Sequence, residues 1–467
     1  EAEKANKYQK QRKDRVWLSK IVTVIFLLAL QIFFLVFMTW RLGEYFVYVQ
    51  SLCIILSVMI VIYIINRKTN PAYKLAWSVM ILLFPLFGGL FYLIVAGNRA
   101  SEHFIHKMQK SITESYPLLP QNLDVLKKLE VESESAAMQA GYIQKYGPYP
   151  IYQHTQMEYY PLGDDNMRPF LEELRKAKRF IFLEYFIIRD GEFWHEVLDI
   201  LDEKTAEGVD VRILFDDFGC IATIPSDYDV QLRKKGIKCH SFNRFIPVLT
   251  LRLNNRDHRK IAVIDGYVGF TGGVNIGDEY VNITHPYGHW KDVSVLLRGD
   301  AVWSMTVMFL QMWGYVTGIE EDFTKYAPRP EDLCEIRDDG YVQPYSDSPL
   351  DDEIVGENIY LNMIGHAKKS ISIITPYLIL DHEMMTALTL ASKNGIDVKL
   401  IIPGIPDKKI VYSLTKTNAA ALIDEGVGVY SYTPGFTHAK VVLIDDEIAT
   451  VGTVNMDFRS LYLHFEC

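Results

Sequence analysis

Apolar residues crowd the front of this chain. Ile21–Trp40, Tyr45–Asn66 and Leu75–Asn98 run for 20, 22 and 24 positions without a charged side chain. A hydrocarbon layer of about 30 Å is crossed by about 20 helical residues, so each run is long enough to span it. The pattern predicts a membrane region over residues 1–98. The third run carries Pro85, Gly88 and Gly89 at mid-length, so it reads either as a span or as a kinked, re-entrant segment. Residues 99–150 are charged, contain Ser, Pro and Gln, and lack strong periodicity, which predicts a connector.

Beyond residue 150 short apolar runs alternate with longer mixed stretches, and the order occurs twice. Ala177-Lys-Arg-Phe-Ile-Phe-Leu matches Ala367-Lys-Lys-Ser-Ile-Ser-Ile, and Gly208-Val-Asp-Val-Arg-Ile-Leu-Phe matches Gly395-Ile-Asp-Val-Lys-Leu-Ile-Ile. The offsets are 190 and 187, closing to 180 at a third matched pair, as small deletions between repeats would produce. Each set reads strand–helix–strand and then a hairpin. The expected fold class is α/β: two duplicated units, residues 151–335 and 336–467, with a shared active site at their interface.

The third pair carries the chemistry. His258-Arg-Lys260 opens an apolar run ending at Asp265, with Gly272-Gly-Val-Asn275 after a second strand-like run; His438-Ala-Lys440, Asp445 and Gly452-Thr-Val-Asn455 repeat the spacing. Residues i and i+2 of a strand share a face, so each His points with its Lys. Asp265 and Asp445, counted with the catalytic set, stand at odd separation and on the turn; parity favours a role in the turn over contact with the His. Gly272 and Gly452 leave room for backbone N–H groups to approach a ligand, and Asn275 and Asn455 add neutral amide donors. Facing copies would supply two imidazoles, two ammonium groups and two amides around one phosphodiester. One His attacks phosphorus; the other protonates the leaving alkoxide. A carboxylate is needed to hold each tautomer, and Asp292 and Glu466, one after each motif, are the candidates. Glu184 and Tyr185, with Tyr377 in the second unit, end equivalent strands and are candidates to line the cleft.

These motifs resemble the phospholipase D superfamily, whose signature is His-x-Lys-x4-Asp followed by Gly-x-x-Asn. Asn254-Asn-Arg-Asp-His258, Phe270-Thr-Gly-Gly-Val-Asn-Ile-Gly-Asp-Glu-Tyr, Asn455-Met-Asp-Phe-Arg-Ser and the Phe84-Pro85-Leu-Phe-Gly-Gly segment are closest to the bacterial cardiolipin synthases within it. The resemblance runs from about residue 45 to the end. It implies condensation of two phosphatidylglycerol molecules to cardiolipin and glycerol through a phosphohistidine. It further implies His258 as nucleophile and His438 as acid/base, with Lys260 and Lys440 on the phosphate and no metal or other cofactor. Similar proteins continue beyond the last residue here, so a trimmed product is expected. A hydrolytic phospholipase D shares the covalent step and stays open, as does an inactive membrane scaffold; intact motifs argue against the latter.

Net charge of −10 does not suit an anionic substrate or nucleic acid, so no nucleic-acid partner is expected and local charge must compensate on a bacterial membrane. Arg233, Lys234, Lys235, Lys238, Arg244, Arg252, Arg256 and Arg259, interrupted by an apolar stretch, read as a loop resting on anionic lipid. Basic residues ahead of the first run predict a cytoplasmic N-terminus, and a re-entrant third run keeps the catalytic part cytoplasmic. Five cysteines without ligand spacing suggest neither a disulfide frame nor zinc.

Overall fold

The computed structural model describes residues 45–67, 71–84, 99–244, 255–336, 340–350 and 353–467, with isolated positions within 29–40 and 88–92. Most of the run Ile21–Trp40, the later part of Leu75–Asn98 with Pro85, and residues 245–254 with Arg252 lie outside the described residues. The chain divides into Glu1–Ile105 with Phe245–Asn254, and His106–Arg244 with Asn255–Cys467.

In the first of these units the helices Phe46–Asn66 and Pro71–Leu83 bury a small cluster of Val61, Ile64, Ile81 and Tyr92, with Ile60 and Trp77 packed against it. Leu52, Ile55, Ile62, Ile65 and Leu82 stay exposed. A helix apolar on every side calls for an apolar surround. Among the described residues Val47–Asn66 is the one helix long and apolar enough to cross a membrane.

Residues 99–150 are not a loose connector. Helices cover Arg99–Ser115, Leu123–Glu132 and Glu134–Tyr146. Asn122 accepts from Val125 N at 3.2 Å and Ser133 from Ala136 N at 3.3 Å, capping the last two. Val125 and Leu129, four apart, bury with Ala137, Ala140 and Ile151.

The larger unit contains two main sheets. The first comprises β1 (Thr155–Tyr160), β2 (Phe180–Tyr185), β3 (Asp210–Asp216), β4 (Lys238–Phe242), β6 (Lys260–Ile264), β7 (Val268–Gly272) and β8 (Ser294–Gly299), with a short β5 (Arg256–Asp257) ahead of β6. Its order is β1-β8-β7-β6-β2-β3-β4. The second holds β9 (Ser370–Ile374), β10 (Asp397–Pro403), β11 (Gly428–Tyr432), β12 (Val441–Ile444) and β13 (Ile448–Val451), in the order β11-β10-β9-β12-β13. In each sheet the motif hairpin, β6–β7 or β12–β13, lies antiparallel against the first strand of a parallel set, β2–β3–β4 or β9–β10–β11. All six residues of β2 are buried, because helices cover both faces of a central parallel strand. A last strand, β14 (His464–Phe465), leaves the second sheet's segment and pairs in parallel with β5.

Candidate active site

Both motif histidines lie at the start of their hairpins and both are buried, His258 at 6% and His438 at 7% exposure. Strand parity brings each lysine round to its own histidine: Lys260 Nζ donates to the His258 carbonyl at 2.6 Å, and Lys440 Nζ donates to that of His438. Asn275 Oδ1 accepts from Ile187 N at 3.0 Å, which fixes its amide, and Asn455 N donates to Ser460 Oγ at 2.8 Å.

The carboxylates are exchanged between the halves. Glu466, from the second half, takes His258 Nδ1 at 2.8 and 3.0 Å; Asp292, from the first, takes His438 Nδ1 at 2.7 Å. The backbone explains both. β14 runs beside β5, and His258 N donates to Phe465 O at 2.9 Å. In the other half residues 288–291 bridge to 435–437, and His438 N donates to Lys291 O at 2.7 Å. Glu466 is also held by the hydroxyls of Thr453 and Ser460. Ser460 sits in the helix Phe458–Leu463, which Asp457 caps by accepting from Arg459 N and Ser460 N. A carboxylate only accepts, so each imidazole donates from Nδ1 and keeps a lone pair on Nε2.

Gly272 and Gly452 serve a different purpose from the one expected. A Cβ on either would lie 2.3 Å from a backbone oxygen, of Val293 or Cys467, the residues that follow Asp292 and Glu466. The missing side chains let the carboxylate-bearing segments pass close by; Gly273 N donates to Val293 O at 2.9 Å and Thr453 N to Cys467 O at 2.8 Å. Gly273 is equally constrained, since a Cβ there would stand 1.9 Å from Asp292 Oδ1. The first half thus pairs Gly273 with the shorter Asp292, and the second pairs Thr453 with the longer Glu466.

Asp265 and Asp445 leave the chemical set. Asp265 accepts the amides of Lys178, Arg179 and Phe180 at 2.8, 2.7 and 2.9 Å; Asp445 accepts those of Lys368, Lys369 and Ser370 at 2.7, 2.7 and 2.9 Å. Both residues have positive φ, 53° and 54°. They pin the turn to the entry of the neighbouring strand, a strand's length (roughly 20 Å) from the histidine.

Burial shapes the electrostatics. It drives His438 down to about 4, helped by Lys440 and opposed by Asp292, and drives His258 well below its usual value despite Glu466. Burial likewise pushes Lys260 down to about 8 and Lys440 to about 7, although Glu466 and Asp292 respectively pull them back. For Asp292 and Glu466 burial favours the neutral acid, but the facing imidazole outweighs it and both are held below the ordinary carboxylate range. Lys260 also bears on His438 and Lys440, so the two motifs share one field. The site holds two carboxylates, neutral imidazoles and two amines poised to lose a proton. An entering anion favours the charged form of every amine and imidazole it faces.

Of the cleft-lining candidates, Glu184 is fully buried and paired with Arg259 at 2.5 Å, and Tyr185 belongs to the core. Alternation instead presents Phe186, whose ring lies 4.9 Å from His258, with Lys260 Nζ 5.5 Å from its centroid. Tyr377 donates to Asp407 at 2.6 Å and reaches the site only through Phe436, 6.4 Å away; the Phe436 ring is 6.1 Å from His438. Trp290 and Tyr280 on His438, and His464 beside His258, complete the rings around the imidazoles. A period of two was the available signal, since Trp290 and His464 each precede the carboxylate by two. Of the basic cluster, Arg256 and Arg259 are buried, whereas Arg233, Lys234, Lys235, Lys238 and Arg244 are exposed, with Arg233 and Arg244 paired to Asp229, Lys235 to Asp202 and Lys238 to Asp210.

Comparison with known proteins bears on this arrangement. Residues 170–294 and 360–467 match the family model described as cardiolipin synthase, PLD-like domain, and residues 55–97 match phospholipase D-nuclease N-terminal. An uncharacterized protein of Streptococcus mutans is 43% identical over 407 residues, 87% of this chain and 88% of its own length. Cardiolipin synthases of Halalkalibacterium halodurans and Alkalihalophilus pseudofirmus are 34% and 36% identical, covering 91% and 88% of this chain and 84% and 81% of theirs. The crystal structure of the Haemophilus influenzae phosphatidylserine synthase superposes with a TM-score of 0.51 at 17% identity, over 70% of this chain and 85% of that one, which is a likeness of fold.

Proposed function

The chain belongs to the cardiolipin synthases built on phospholipase D-like domains, and from that membership we propose that it joins two phosphatidylglycerol molecules into cardiolipin and glycerol. The observation that supports this reading is the exchange of Asp292 and Glu466, each accepting from Nδ1 of the other half's motif histidine; we read the two imidazoles, each with a lysine alongside, as serving one phosphodiester.

His258 attacks phosphorus through Nε2, and the bond to the headgroup glycerol breaks. His438, which takes up a proton on Nε2 from solvent when the anionic substrate enters and is held as imidazolium by Asp292, gives that proton to the departing oxygen, and glycerol leaves. His438 then removes the proton from a hydroxyl of the second phosphatidylglycerol. That oxygen attacks the phosphohistidine, the P–N bond breaks, and cardiolipin is released. Lys260 and Lys440 neutralise the non-bridging oxygens, and the anion they receive restores their charge. Asn275 and Asn455 add amide donors. Supported by the matching strand order of the two sheets, the halves are read as duplicated units. The membrane region is read as multi-pass, with the catalytic body on the cytoplasmic side.

Purified full chain given phosphatidylglycerol in detergent should yield cardiolipin and glycerol. Phosphatidic acid as the sole lipid product would overturn the synthase reading, and His258→Ala should slow the transfer at least about a thousandfold.

A further inference from the structure

The two halves of the site differ in the ring beside each reacting imidazole. The segment that supplies Glu466 reads His464-Phe465-Glu466, and its counterpart reads Trp290-Lys291-Asp292. Strand alternation turns the residue two before the carboxylate to the carboxylate's face. Trp290 therefore stands 5.6 Å from His438, centroid to centroid, and His464 stands 5.3 Å from His258. An indole offers no lone pair to a cation, whereas an imidazole does.

His464 is also unspent. It is nine-tenths buried, and neither ring nitrogen has a hydrogen-bond partner among the described residues. Its Nδ1 lies 3.5 Å from Glu466 Oε1, whose carboxylate is in turn 2.8 Å from His258 Nδ1. One donor atom from each of the three residues falls within 4.8 Å of the others. A tetrahedral ion with bonds of about 2.0–2.1 Å needs donors about 3.3–3.5 Å apart, which the present separations bracket.

We propose that His258, His464 and Glu466 form a binding site for Zn²⁺ that switches the enzyme off. Two imidazoles and one carboxylate suit zinc and its neighbours and not Mg²⁺, which takes oxygen ligands. A neutral imidazole carries one ring proton. A metal on Nδ1 of His258 moves that proton to Nε2, so the nitrogen that would attack phosphorus loses its lone pair. Glu466 changes from hydrogen-bond acceptor to ligand, and His438 is untouched. The inhibition rests on the phosphoryl-transfer reading; the binding does not.

Titrating the full chain in detergent with ZnCl₂ by calorimetry, and with Co²⁺ by visible absorption, tests the site directly. We expect about one ion per chain and the intense bands of low-coordinate cobalt. His464→Asn should weaken zinc at least about tenfold and raise the zinc concentration that halves its own metal-free rate by a similar factor. Wild-type protein that binds zinc no tighter than millimolar overturns the site, a result that does not depend on any variant folding. His464→Asn binding as tightly as wild type also overturns it, and zinc bound at this site without slowing transfer overturns the switch. A chain that binds zinc here yet makes no cardiolipin supports the site while refuting the transfer reading, so the two failures are distinguishable.

Discussion

Exchanging the small differences between the halves gives the sharpest test of how the site is built. In the first half Gly273 faces Asp292; in the second, Thr453 faces Glu466. Gly273→Thr places a Cβ 1.9 Å from Asp292 Oδ1, where ordinary contact begins at 3.4 Å. The carboxylate must retreat by about 1.5 Å, and it cannot do so while holding His438 Nδ1 at 2.7 Å. A hydrogen bond to a charged group contributes about 1.5–3 kcal/mol. Losing it where it orients the reacting imidazole should slow the transfer about 10- to 150-fold.

Adding Asp292→Glu copies the Thr453–Glu466 arrangement into the first half. The longer side chain can draw back from the new methyl and hydroxyl and still reach Nδ1. The rescue should be partial, because the new Cβ also stands 3.0 Å from the His438 carbonyl oxygen. Initial rates of cardiolipin formation by purified full chain, with thermal melts to confirm folding, would complete the double-mutant cycle. A folded Gly273→Thr enzyme within threefold of wild type would refute the steric argument. A double variant no faster than the single would refute the proposed equivalence of the halves.

Other outcomes follow from the same geometry. Glu466→Gln and Asp292→Asn replace a carboxylate that only accepts with an amide that can also present N–H to the ring, so the Nδ1–H tautomer is no longer enforced, and each should cut the rate about 10²- to 10⁴-fold with little change in melting temperature; a loss under fivefold would contradict the orienting role. Lys440 and Lys260 are held near about 7 and 8, below the ordinary lysine value, so the cationic forms are present below those values and lost above them. The rate at low substrate should therefore fall as pH rises from about 7 to 8, and a profile flat to pH 9 would count against buried, depressed lysines. Asp445→Ala forfeits three amide contacts to a carboxylate and should lower stability by about 2–4 kcal/mol, with activity lost in proportion to unfolded protein in a melt-corrected assay. A cysteine placed beside exposed Gly340 should resist an impermeant thiol reagent in intact cells; rapid labelling would put the catalytic body outside.

The sequence was most legible where the physics is local. A period of two put each lysine with its histidine, and odd parity separated Asp265 and Asp445 from theirs; both relations hold in the strands. Glu184 and Tyr185 were misjudged because β2 is covered on both faces, which erases the alternation that would have separated the Arg259 partner from the core residue. Charge counted along the chain likewise does not reveal that Arg256 and Arg259 are buried, or that Asp229, Asp202 and Asp210 fold back onto the exposed cations.

What no spacing could disclose was which carboxylate serves which histidine. Both acids lie downstream of a motif, and the simplest assumption pairs each with its own. The pairing is decided by β14 lying along β5 and by residues 288–291 lying along 435–437, contacts between positions far apart in the chain. The consequence is functional. Each half holds an imidazole whose Nδ1 partner comes from the other half, so its tautomer is set only when the other half is folded beside it. Such an arrangement ties catalysis to the docking of the halves, and it constrains their divergence: a change in Gly273 or Thr453 acts on the acid of its own half, Asp292 or Glu466, and through that acid on the histidine of the other half.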